Sequence, residues 1–202
     1  MNRLAAFLLC ALLAAAVMAA PAPAPRAWGP WFDSWDRPVD PLGDCRFDRS
    51  AGKLSIIIPA PTPGRAQIRV LRSSTAPHMT RAVDGDFVAE VRVFGSAPPV
   101  LARGDFSHAG LFISDGTREV GRCGVSPGYD WTKPSLLRIV RRGDMLTFQY
   151  FRDGKQFYAR TSTEKKLPKK LKVGVVAECD PRGGFKAEFD QFNLAPLGGS
   201  GR

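Results

Sequence analysis

Between Ser135 and Thr161 apolar and polar side chains alternate with a period of two, in three runs joined by two turns, Arg142-Gly143-Asp144 and Arg152-Asp153-Gly154-Lys155. Successive side chains of a strand point to opposite faces. Leu137 and Ile139 therefore share one face and Arg138 and Val140 the other, while Leu146, Phe148 and Tyr150 stand opposite Thr147 and Gln149. Asp153-Gly154 offers the positive φ of a tight hairpin, and Gly143 does the same at the first turn, so the register of all three strands is set locally. The pattern predicts a β-meander.

The same punctuation predicts strands at Cys45 to Arg49, Lys53 to Pro59, His78 to Val83, Asp86 to Phe94, Ala109 to Ser114, Arg118 to Cys123, Lys172 to Cys179 and Gly184 to Leu194. In the fourth of these Phe87, Ala89, Val91 and Val93 oppose Val88, Glu90, Arg92 and Phe94. Roughly ten strands at this spacing, with no helical apolar stripe in the mature region, argue an all-β fold, an antiparallel β-sandwich or jelly roll. Val91, Leu111, Ile139 and Phe148 are expected in its core. The long loops, Pro61 to Ala76 and Gly95 to Phe106, are where function is expected to sit.

Length bounds the organisation: 202 residues, 44% of them hydrophobic, bury one good core. Met1-Asn2-Arg3 followed by an apolar run ending at Val17-Met18-Ala19 reads as a signal peptide over residues 1–19. A membrane anchor is the alternative reading, but the run is at the short end of a spanning helix. Residues 20–39 form a Pro/Trp-rich lead-in, 40–195 the sandwich and 196–202 a flexible tail. The expectation is a secreted or periplasmic protein with no stable membrane anchor. Cys10 leaves with the leader.

The formal net charge of +10 changes the picture of partners. An acidic glycan or another anionic cell-surface polymer fits it. No nucleic-acid module is present, and no aromatics interleave with the densest basic run, Lys165 to Lys172, so nucleic acid is not expected. The plainer reading of that run is a solvated strand edge guarded by its lysines and proline. Cys45, Cys123 and Cys179 remain in the mature chain with only two histidines, too few well-spaced ligands for zinc. One disulfide and a spare thiol is the arithmetic for an exported protein. Which two pair stays open, with Cys45 and Cys179 favoured because the first and last strands of a sandwich lie close. Trp28, Trp31 and Trp35 read better as plugs closing the core than as clamps on a sugar ring.

The series DPLGDC at 40–45, KLSIIIP at 53–59, APHMTRAVDGDFVAEVRV at 76–93, AGLFIS at 109–114, LRIVRRGDMLTFQYFRDGKQF at 137–157, VGVVAE at 173–178 and AEFDQFNL at 187–194 resembles the concanavalin A-like lectin/glucanase sandwiches. Within them it looks most like the domain of unknown function related to the yeast "regulation of enolase" proteins, common in exported bacterial proteins. The resemblance covers residues 40–195 and rests on turn and core motifs. It implies a jelly roll of two antiparallel sheets whose concave outer face binds glycans in many relatives, and it lends no assigned reaction. Glucanases of this superfamily carry Glu-x-Asp-x-x-Glu on a strand. Here Glu188-Phe189-Asp190-Gln191-Phe192-Asn193 puts an amide in the sixth place, so the two-carboxylate mechanism lacks a partner and no catalytic residue is assigned.

Other candidate chemistry is thin. No cofactor is expected; a structural calcium on Asp190 and loop carbonyls is a minor option. Asp105, Ser107 and His108 lie too close in sequence for a triad and mark the start of a strand. Cys123 is a candidate reactive thiol. Alternation leaves Arg92, Phe112, Arg138 and Gln149 on the outer face of one sheet, with Tyr129 and Trp131 on the loop beside it. Guanidinium groups, an amide and flanking aromatics suit a polyhydroxylated or acidic sugar. The sequence therefore points to a non-catalytic carbohydrate-binding or cell-surface interaction module, the alternative being a glycoside hydrolase or lyase.

Overall fold

The computed structural model describes residues 34–50, 52–60, 76–96, 107–125, 130, 132–164, 166–179 and 184–197. Among the described residues eleven strands follow one another: β1 (Arg46–Ser50), β2 (Lys53–Ile58), β3 (His78–Asp84), β4 (Phe87–Ser96), β5 (Ser107–Ser114), β6 (Glu119–Val125), β7 (Ser135–Arg142), β8 (Met145–Arg152), β9 (Lys155–Thr163), β10 (Lys170–Cys179) and β11 (Phe185–Pro196). All pair antiparallel, in a seven-stranded sheet ordered β1-β2-β11-β4-β7-β8-β9 and a four-stranded sheet ordered β3-β10-β5-β6. Both expected turns of the meander form: Gly143 has φ 58°, and Asp153 and Gly154 have φ 50° and 72°.

The inward faces of the two sheets supply one contiguous core. Val91, Leu111, Ile139 and Phe148, expected there from alternation, are all in it, and Leu137, Leu146 and Tyr150 join them. Burying one Ile or Leu side chain of this kind contributes about 1.5–3 kcal/mol. Trp35 is a plug, its ring edge-on to Phe192 with centroids 4.6 Å apart. Residues 34–40, which carry it, strap the edge of the four-stranded sheet: Val39 bridges His78 in β3, and Asp36 receives bonds from Thr80 and Lys172.

Two expectations are corrected. The basic run does not end on a sheet edge. Lys170 begins β10, which pairs with β3 on one side and β5 on the other, while Leu167 and Leu171 are buried in the core. Alternation explains this, since Lys170 and Lys172 point outward on either side of buried Leu171. The three mature cysteines are thiols and not one disulfide with a spare: Cys123 and Cys179 are buried and Cys45 half-buried. Most of the two long loops, together with Trp28, Trp31, Cys10 and the leader, lies outside the described residues.

Candidate functional site: a cleft between two sheet edges

The two sheets have different widths, and the seven-stranded one carries the β8–β9 hairpin past β6, the last strand of the other. The overhang opens a cleft of about 790 Å³, within the roughly 300–1,000 Å³ range of small-ligand sites. One wall is β6, from Glu119 to Gly124; the other is β8 and β9. Pairing of Tyr150 with Tyr158, Phe148 with Arg160 and Leu146 with Ser162 turns the corresponding β9 side chains to the inward face. A register shift after Tyr150 leaves Phe157 as an extra residue, a bulge that re-aims its ring. Phe157 is 63% and Tyr158 50% exposed, two of the few large apolar side chains in solvent among the described residues. The Phe157 ring lies 6.0 Å from that of Tyr150.

Glycines shape the β6 wall. A Cβ at Gly121 would meet the Phe148 ring at 2.6 Å, and one at Gly124 would meet His108 Nε2 at 2.3 Å. His108 therefore leans over β6 into the cleft, from the first turn-out of β5. Arg122 organises the charges beside it. Its Nε and Nη2 donate to Glu119 at 2.6 and 2.8 Å, and Nη1 donates to both oxygens of Glu178 at 2.7 Å. Burial raises the Glu178 carboxyl above its ordinary range despite the opposing Arg122 charge. Burial, aided by Arg122, pushes His108 down to about 4, so its imidazole is neutral near pH 7. Cys123 is no reactive thiol: burial pushes it up to about 12, and its Sγ donates to the Gln149 carbonyl at 3.3 Å.

On the far rim Arg160 is exposed, and no carboxylate among the described residues pairs with it. Arg152 lies alongside and donates to the Asp130 carbonyl at 3.4 Å. The cleft thus joins an aromatic strip, a free guanidinium and a carboxylate–guanidinium cluster. Planar polar groups of this kind match vicinal hydroxyls, while rings cover the apolar faces of pyranoses.

The outer-face platform expected from alternation is differently occupied. Arg92, Arg138 and Gln149 do share the outer face of the seven-stranded sheet, on β4, β7 and β8. Phe112 does not: it belongs to the four-stranded sheet, because β5 pairs with β10 and β6. Alternation places a side chain on a face but says nothing of which sheet its strand joins. Arg92 is held by Asp190 through bonds of 2.7 and 2.6 Å. Arg138 is buried, ion-paired with Glu90 and lying over the Phe151 ring at 4.9 Å. Tyr129 and Trp131 lie outside the described residues.

The Arg92 pair also engages both oxygens of the side chain that the calcium option would need. A bulge around Gln191, φ 52°, re-phases β11, so that Glu188, Asp190 and Asn193 all face outward, opposite Phe94, Arg92 and Glu90. Asp40, Asp44 and Cys45 cluster closely enough to suggest a cation site, but Asp40 already accepts the backbone N–H of Leu42 and Cys45 as the cap of a turn.

No protein-family model and no curated protein matches the chain. Solved structures do. A functionally unknown protein from Saccharomyces cerevisiae is 20% identical with a TM-score of 0.52, over 80% of this chain and 97% of its own. A prokaryotic β-1,3-1,4-glucanase (lichenase) from a mouse hindgut metagenome is 13% identical with a TM-score of 0.50, over 83% and 96%. The fold is that of the concanavalin A-like lectins and glucanases. At these identities the likeness establishes architecture and leaves activity to the site. Lectin I-B4 from Griffonia simplicifolia, metal-free form, is 10% identical with a TM-score of 0.48, over 85% and 96%.

Within this concanavalin A-like sandwich the cleft draws in His108 and Cys123, which the sequence offered only as a strand start and a candidate thiol, while Phe157, Tyr158 and Arg160 carried one sequence signal. Phe157-Tyr158-Ala159-Arg160 breaks strict alternation with adjacent aromatics on a strand otherwise rich in Lys, Gln, Ser and Thr. An unshielded aromatic pair on a polar strand is a binding signature.

Proposed function

We propose that the chain is a non-catalytic carbohydrate-binding module whose ligand lies in the cleft between β6 and β9. The observation that carries this reading is the exposed Phe157–Tyr158 strip facing the Arg122 cluster across a hollow of ligand size. Arg160 and the net charge of +10 favour a glycan with acidic groups. The Arg122 charge is already met by Glu119 and Glu178, so selection for acid rests on the rim and on long-range attraction. A secreted or periplasmic location, from the leader-like residues 1–19, belongs to the same proposal. So does membership of the domain related to the "regulation of enolase" proteins, supported by the sequence signatures alone.

Calorimetric titration against uronate and neutral β-glucan oligosaccharides tests it. Tyr158→Ala is expected to weaken binding roughly tenfold, about 1.4 kcal/mol, and Arg160→Ala to weaken the uronate series alone. Equal affinity of parent and both variants would reject the cleft. Reducing-sugar release or unsaturated ends in the same mixtures would replace the module with the hydrolase or lyase alternative.

A further inference from the structure

A second hollow, of about 300 Å³, lies over the outer face of the four-stranded sheet, and Glu119 lines both it and the cleft. Its floor is Phe112, which with Ala76 and Val176 forms a small apolar cluster separate from the main core. His78 and the Asp36–Lys172 pair wall it on the side of the 34–40 strap. Between the two hollows three outward positions of the four-stranded sheet are glycines. Gly110 and Gly124 face each other across β5 and β6, and Gly174 pairs with Phe112 across β10 and β5. Added Cβ atoms there would strike neighbouring backbone or His108 at 1.9–2.3 Å. The two hollows therefore meet at Glu119 rather than across an open strand surface.

His78 gives the second hollow a chemical preference. Its Nδ1 lies 2.8 Å from the Ala76 carbonyl, and a carbonyl only accepts, so Nδ1 carries the proton. Burial lowers the His78 pKa, which keeps the ring neutral and leaves Nε2 as a bare acceptor. A bare acceptor beside an aromatic edge, His78 and Phe112 centroids being 5.0 Å apart, takes a hydroxyl donor over an apolar ring face.

We infer that the ligand is an internal stretch of a saccharide chain that runs from the cleft past Glu119, with a hydroxyl-rich unit seated against Phe112 and His78. This rests on the cleft reading and extends it to a second subsite. The test is titration of the full chain with uronate and β-glucan disaccharides, tetrasaccharides and hexasaccharides. Affinity rises about tenfold from disaccharide to hexasaccharide in the parent. His78→Phe removes the acceptor and keeps a ring, and Phe112→Ala removes the floor. Each cancels the gain with length and leaves disaccharide affinity unchanged, whereas Tyr158→Ala weakens every length. Affinity independent of length in the parent, or a gain that survives His78→Phe, overturns the second subsite while leaving the cleft standing. Absence of binding at every length removes both.

Discussion

His108 and Glu178 sit in one charge cluster and respond to acid in opposite senses. The folded state holds His108 near a pKa of about 4 against an ordinary 6.5, so between those values the unfolded chain binds more protons and stability falls as pH falls. Glu178 is raised, so the folded state binds its proton more readily and acid relieves the cost of burying that charge. His78 is lowered and adds to the His108 direction. The His108 share from pH 7 to pH 5 is about 2 kcal/mol. Urea unfolding should show the parent losing more stability over that interval than His108→Asn, by roughly this amount. Equal losses would mean that His108 is not neutral in its seat. The residue scale also explains why Arg138 makes a poor platform: Glu90 opposes it across strands and Phe151 covers its guanidinium. The outward direction of Arg138 was readable from its neighbours, whereas its cross-strand acid became visible only once β4 was paired with β7.

At the scale of elements, the β8–β9 hairpin is the part that makes the cleft, and its turn is its weak point. Gly154 has φ 72°, a region where a Cβ costs about 1–2 kcal/mol. Gly154→Val should lower unfolding stability by that amount and loosen Phe157 and Tyr158, measurable by chemical denaturation and by amide exchange across β9. A variant as stable as the parent would show that the turn is not what holds the hairpin. This element was legible because period-two alternation and an Asp-Gly turn are local properties. The bulge at Phe157 was not, since its position follows from how β9 meets β8 after Tyr150. The basic run misled for a related reason: lysines and a proline mark solvent exposure, and an interior strand with one solvated face shows the same signs as an edge.

At the scale of the molecule, function follows from an inequality of width. Seven strands face four, and the inward face of β9, left exposed beyond the core, becomes a binding surface without any strand being added. Periodicity reports which side chains face inward but carries no information on lateral offset between sheets, so core and fold class were readable and the cleft was not. The same ignorance of offset and pairing put Phe112 with Arg92 and Arg138. The most direct test is a backbone amide NMR titration with uronate disaccharide. The account predicts shifts concentrated at Glu119 to Gly124 and Phe157 to Ser162, with Arg92, Arg138 and Gln149 unmoved. Shifts confined to Arg92, Arg138 and Gln149, or none anywhere, would contradict it.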